Sequence, residues 1–122
     1  MIPFFEGLAR RVPCSALTPS LALYHDRWGR IQETPGEDPF LSGAYAEQYV
    51  RGMQEGDDPR YLKTSACCKH FAAYSLEMWE GMDRHHFDAK VSDEDLAEIY
   101  TPAFQECVVA GHASAMMVSD QQ

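Results

Sequence analysis

Three short apolar runs constrain this chain more than any other feature: residues 17–24 (LTPSLALY), 61–68 (YLKTSACC) and 113–118 (ASAMMV). Each is too short for a long buried helix and reads as a buried strand. Stretches with helical spacing separate them. Strands that alternate with helices predict parallel pairing through right-handed crossovers, hence an α/β fold.

The first helix is expected over 43–55, with Ser42 as its cap. Leu41, Tyr45, Tyr49 and Met53 recur at i+4 and form the expected packing stripe. Gly56, Asp57, Asp58 and Pro59 stop it. A second helix begins at a capping box, Ser92 with Asp95. Leu96, Ile99, Tyr100, Ala103, Phe104, Cys107 and Val108 share its apolar face. Pro102 should kink it, and Gly111 is its natural stop. Residues 25–40 and 81–90 read as loops, and 71–79 also fits a helix. Loops as long as 25–40 are often functional.

At 122 residues, 45% hydrophobic and 24% charged, the chain has material for one compact domain and too little for two. A net charge of −9 disfavours nucleic acid and anionic membrane surfaces as partners, but not neutral ligands such as sugars. No apolar run approaches the ~18 residues of a membrane span. Residues 1–16 read as an irregular lead-in without a signal-peptide pattern, and 17–122 as the domain. Four cysteines are too few for a disulfide scaffold. Cys67 and Cys68 point to opposite faces of a strand, so at most one of them reaches Cys107 easily. Buried thiols, or one such bridge, are the expected states.

In parallel α/β folds, chemistry gathers in the loops after the strands. Arg27, Arg30, Glu33, Lys69 and His70 fall in such loops. Each also has a plainer reading. Arg30 and Glu33 can pair with each other, Lys69 and His70 can be a surface pair, and Trp28 is more often packing than a sugar platform. Asp83, His85, His86 and Asp88 mix carboxylate and imidazole, but their spacing fits no standard metal site. No metal or other cofactor is expected.

Two segments carry a resemblance. Residues 27–54 (RWGRIQETPGEDPFLSGAYAEQYVRGMQ) and 65–111, which contain ACCKHFAAY, resemble the family 3 glycoside hydrolases, in particular the β-xylosidase and β-glucosidase branch. With the weaker ASAMM stretch the similarity spans roughly 17–118. The resemblance implies a partial (β/α)8 barrel with about three βα units. It also implies a β-linked sugar as ligand, cleaved in the family with retention by a carboxylate nucleophile and a separate acid/base. Arg30 matches the second arginine of the family's RWGR motif. Lys69 and His70 match its Lys-His pair. By resemblance all three contact sugar hydroxyls, a task suited to charged donors and a neutral imidazole.

The match departs from the family in lacking the proline of D-P-R-W-G-R. The family's nucleophilic Asp lies well downstream of the Lys-His pair, and Ser119-Asp120 comes several tens of residues too early to be it. The expectation is therefore a fragment with sugar-binding residues, without the catalytic carboxylates, and inactive alone. The alternatives are a non-catalytic structural or interaction subunit, whose open barrel edges need a protein partner or oligomer, and a piece of a longer enzyme. Secretion or vacuolar targeting is implied only by the resemblance.

Overall fold

The computed structural model describes residues 15–17, 28 and 30–119. A parallel three-stranded sheet runs in the order β1 (Ser15–Leu17), β2 (Ala66–Phe71), β5 (Ala115–Val118). Ser15 pairs with Ala66 and Leu17 with Cys68. On the other side Cys67 pairs with Ala115 and Cys68 with Met116. The expected parallel pairing is present. The first strand starts earlier than anticipated, and 18–27 lie outside the described residues, with them Arg27 and most of the run 17–24.

β2 is displaced toward the C-terminus of the expected 61–68. Residues before Ala66 turn back on the preceding helix: Tyr61 N donates to Asp58 O and Lys63 N to Gln54 O. Their backbone is committed there, and Tyr61 and Leu62 stay exposed. Lys69 and His70 consequently lie inside the strand, near its C-terminal end, and not in the loop after it. An extra residue in β2 between Cys68 and Phe71 shifts the register there.

The helix over 71–79 does not form. Met78–Trp79 (β3) and Met82–Asp83 (β4) make an antiparallel hairpin instead. Its two-residue turn has positive φ at both Glu80 (47°) and Gly81 (85°), a conformation Gly adopts freely and one that matches strand twist.

The first helix, α1, spans Pro39–Gln54, and its cap is Asp38 rather than Ser42. The Asp38 carboxylate accepts from Phe40 N (2.8 Å), and Pro39 occupies the first turn, where its missing N–H costs nothing. Ser42 is buried within the helix. Of the expected stripe, Met53 packs against the core, but the other three residues are on the wrong face. Leu41, Tyr45 and Tyr49 are 50%, 45% and 45% exposed, whereas Ser42, Gly43, Ala46, Val50 and Gln54 are buried. Close approach decides this. A Cβ on Gly43 would sit 2.9 Å from Glu106 Cγ, so at this position a larger residue would have to displace the Glu106 side chain of the second helix.

That second helix follows Ser92, whose Oγ accepts from Asp95 N (3.0 Å) as the capping box predicts. A turn at Asp93–Asp95 widens into a π-type stretch, Leu96–Tyr100, before α2 (Pro102–Val109). Pro102 interrupts the helix as expected: it falls in the first turn of α2, where no intrahelical N–H is required. Leu96 and Val108 from the predicted apolar face are partly exposed, while Ala103, Phe104 and Cys107 are buried.

Both helices cover one face of the sheet. Ala46, Val50, Ala66, Cys68, Phe104 and Cys107 form the core, with Met53, Phe71, Ala113 and Met116 packed against it. Phe71 meets Phe104 edge-on at 5.2 Å. A disulfide joins Cys68 to Cys107, so Cys68 is the cysteine that reaches α2, and Cys67 is a buried free thiol. Gln54 ties the layers together: it donates to His112 O (2.8 Å) and accepts from Ser114 N (2.8 Å) and Ala66 N (3.2 Å). No helix among the described residues is long and apolar enough to cross a membrane.

Candidate functional site

The C-terminal ends of the parallel strands carry a cluster of charged side chains. β2 supplies Lys69 and His70. The segment after β1 supplies Trp28, Arg30 and Glu33, the last on a 3-10 turn, Ile31–Glu33. The segment after β2 supplies Tyr74, Glu77 and Arg84.

Arg30 and Glu33 do pair, in bidentate fashion: Nε donates to Oε1 at 2.7 Å and an Nη to Oε2 at 2.8 Å. The pair is not isolated. Lys69 Nζ lies 3.8 Å from Glu33 Oε2, and Arg30 Nη1 lies 3.5 Å from Glu77 Oε1. Arg84 Nη1 lies 3.7 Å from Glu77 Oε2 and donates to Tyr74 Oη at 3.5 Å. The Tyr74 hydroxyl itself donates to Glu77. Two carboxylates thus alternate with three cations, in the order Lys69, Glu33, Arg30, Glu77, Arg84.

Beneath the charges lies an aromatic floor. Trp28 is buried and meets Tyr74 edge-on at 5.7 Å, and Tyr74 meets His70 edge-on at 4.9 Å. Trp28 is therefore a packing residue. Burial, reinforced by the charges of Lys69 and Arg30, pulls the His70 pKa down to about 4. The ring is neutral near pH 7 and can donate from one nitrogen while it accepts at the other. Its Nδ1 is buried and has no hydrogen-bond partner among the described residues. The Glu33 hydrogen bond raises the Arg30 pKa, so that guanidinium stays charged.

A recess of about 210 Å³ opens beside the cluster, lined by His70, Tyr74, Arg84, Met117, Val118 and Ser119. Arg30 and Lys69 are not among its lining residues, but their charges act on His70, which is. All three sequence-predicted site residues, Arg30, Lys69 and His70, converge at this rim. Sequence reasoning missed Tyr74, Glu77 and Arg84. The hairpin turn Glu80-Gly81 was the available signal, because it folds residue 84 back onto residue 77. The Asp83–His86 stretch forms its own local contacts: Asp83 Oδ1 lies 2.7 Å from His86 Nδ1 and accepts from His85 N (2.9 Å). Asp120 lies outside the described residues.

Strands that present cationic donors and a neutral imidazole beside an aromatic floor suit a polyhydroxylated neutral ligand. Comparisons with known proteins identify the family. Residues 15–121 match the glycosyl hydrolase family 3 N terminal domain, and the chain belongs to that family. It is 49% identical over 108 residues to Beta-D-xylosidase 3 of Arabidopsis thaliana, an alignment covering 86% of this chain and 14% of the xylosidase. It is 47% identical over 114 residues to a probable exo-1,4-beta-xylosidase of Aspergillus clavatus, covering 93% and 15%. Among solved structures, a family 3 exo-beta-xylosidase in complex with a xylobiose aziridine activity-based probe superposes with a TM-score of 0.76. It is 36% identical, covering 87% of this chain and 13% of that one. A beta-glucosidase from Listeria innocua in complex with isofagomine gives a TM-score of 0.66 at 30% identity, covering 86% and 14%. The chain thus spans about one seventh of the length of these relatives.

Proposed function

We propose that these residues form part of the sugar-binding wall of a retaining β-xylosidase or β-glucosidase, on about three βα units of a (β/α)8 barrel. Arg30, Lys69 and His70 are the sugar-contacting residues. The observation that carries this reading is their convergence at the C-terminal ends of parallel strands, from segments 39 residues apart in sequence. Arg30 and Lys69 donate to hydroxyl oxygens, and His70, neutral at working pH, accepts or donates as the hydroxyl requires. Such charged contacts tighten as a sugar ring distorts toward its oxocarbenium-like transition state.

In this reading the nucleophile and acid/base are not among the 122 residues, so the chain alone binds sugar without cleaving it. Xylobiose titration followed by NMR tests the binding, with Arg30→Leu, Lys69→Met and His70→Gln each expected to weaken it. Incubation with aryl β-xyloside and β-glucoside tests the second half: clear turnover by the purified chain refutes it.

A second reading, a structural or interaction subunit, is favoured by the sheet itself. β1 and β5 each have one neighbouring strand among the described residues, and Met117 and Val118 on β5 are exposed. An open strand edge invites a partner. A monodisperse, cooperatively folding monomer in solution counts against this reading.

A further inference from the structure

The hairpin after β2 has a fixed register, with Met78 opposite Asp83 and Trp79 opposite Met82. One step further from the turn, Glu77 stands opposite Arg84, and Arg84 N donates to Glu77 O at 3.0 Å. The two side chains therefore share one side of the hairpin base, which explains their ion pair at 3.7 Å. The same carboxylate reaches Arg30, carried by a different segment, at 3.5 Å, and accepts the Tyr74 hydroxyl. One carboxylate thus receives three groups from three places in the chain.

We propose that Glu77 is a positioning residue: set by the hairpin register, it fixes the guanidinium of Arg30, and with it that of Arg84, within the charged cluster around His70. This rests on the reading of Arg30 as a sugar contact. The physical logic is preorganisation. Arg30 is clasped from one side by Glu33 through Nε and an Nη, which fixes the plane of the guanidinium. Glu77 approaches Nη1. Two carboxylates at different edges of one guanidinium leave it little freedom, so a ligand has less side-chain order to impose when it binds. Without Glu77, Arg30 keeps its charge and its Glu33 clasp but loses the second restraint. Arg30 and Arg84 then face each other with less intervening negative charge.

The test is Glu77→Gln in the 122-residue chain. The amide can still accept from Tyr74, so the aromatic floor is retained. Guanidinium rotation of Arg30 and Arg84, followed by NMR of their Nη groups, should become faster in the variant while core amide shifts stay in place. Xylobiose affinity should fall about tenfold, because the ligand must then order the Arg30 side chain itself. Glu77→Asp, which keeps the charge on a shorter arm, should recover part of the affinity, and it serves as the readout if the glutamine variant does not fold. Unchanged rotation of both guanidinium groups overturns the proposal. So does unchanged xylobiose affinity in Glu77→Gln when Arg30→Leu loses it, a result that leaves the sugar reading standing. If Arg30→Leu also leaves affinity unchanged, the sugar reading fails, and this proposal with it.

Discussion

β2 belongs to two regions built by different forces. Its Ala66, Cys68 and Phe71 enter an apolar core under α1 and α2, stitched by the Cys68–Cys107 disulfide. Its Lys69 and His70, interleaved in the same six residues, sit in a half-exposed cluster of alternating charges over Trp28 and Tyr74. The core side depends on close approach, with small residues where the helices touch and little tolerance for a changed volume. The rim side depends on mutual orientation of charges that water still reaches, where each pair contributes little to folding. The two sides should therefore fail separately: core changes cost stability, and rim changes cost the geometry of the site.

The largest effect should come from the disulfide. It closes a loop with a sequence separation of 39 that contains Lys69, His70, Tyr74, Glu77 and Arg84. Chain-entropy arguments assign a loop of this length about 4 kcal/mol. Paired Cys68→Ala and Cys107→Ala substitutions, read by urea denaturation, should remove a large part of the stability. A loss under about 1 kcal/mol would show that the core does not need the bridge. Gln54→Ala comes next. It strips hydrogen bonds from Ala66 N, Ser114 N and His112 O at once, groups held between the helix and the sheet. The expected loss is about 3 kcal/mol, because unsatisfied buried polar groups are costly. Comparable stability in the variant would mean that water replaces the side chain.

How much of this was legible in the sequence differs between the two regions. Parallel order, the Ser92 cap, the break at Pro102 and the convergence of Arg30 with Lys69 and His70 follow from local chemistry or from the family resemblance. The buried face of α1 did not. Periodicity ranks residues by hydrophobicity, and Tyr45 and Tyr49 outrank Ser42 and Gly43 on that scale. The structure instead buries Ser42, Gly43 and Ala46 together with Val50 and Gln54, and the close approach of the second helix at Gly43 is not visible to such a ranking. Asp38 was overlooked as the cap because Ser42 also has a capping side chain, and only the position of Pro39 separates them. Glu77 and Arg84 were invisible for a related reason. A hairpin of two-residue strands carries almost no hydrophobic pattern, so the turn at Glu80-Gly81 was its sole trace.

On the rim, His70 makes a prediction about pH. Folded, its pKa is lowered to about 4 by burial and by Lys69, Arg30 and Arg84, with Glu33 opposing. Unfolded, the imidazole titrates near its ordinary value of 6.5. Between the two values the unfolded chain binds more protons, so acidification favours unfolding. The stability difference is fully present above about pH 6.5 and is lost as pH falls toward about 4. The urea midpoint of the native chain should drop between pH 7 and pH 5, and that of His70→Gln should drop less. Equal drops would place His70 in contact with water and undo the argument that it is held neutral.

The smallest stability effect should be at Glu33, and it is the sharpest test of the contrast between core and rim. Its carboxylate is the bidentate partner of Arg30 and lies 3.8 Å from Lys69 Nζ. Its side chain is 36% exposed, so solvent screens both interactions. Glu33→Gln should shift the unfolding free energy by less than about 1 kcal/mol. The same change should disturb two of the three proposed sugar contacts, because Arg30 and Lys69 lose the anion that holds them near each other. Xylobiose affinity should therefore fall while the urea midpoint barely moves. If both fall together, Glu33 belongs to the structural frame and the separation of rim from core is wrong. If neither falls, the Arg30 and Lys69 geometry is held by something other than this carboxylate.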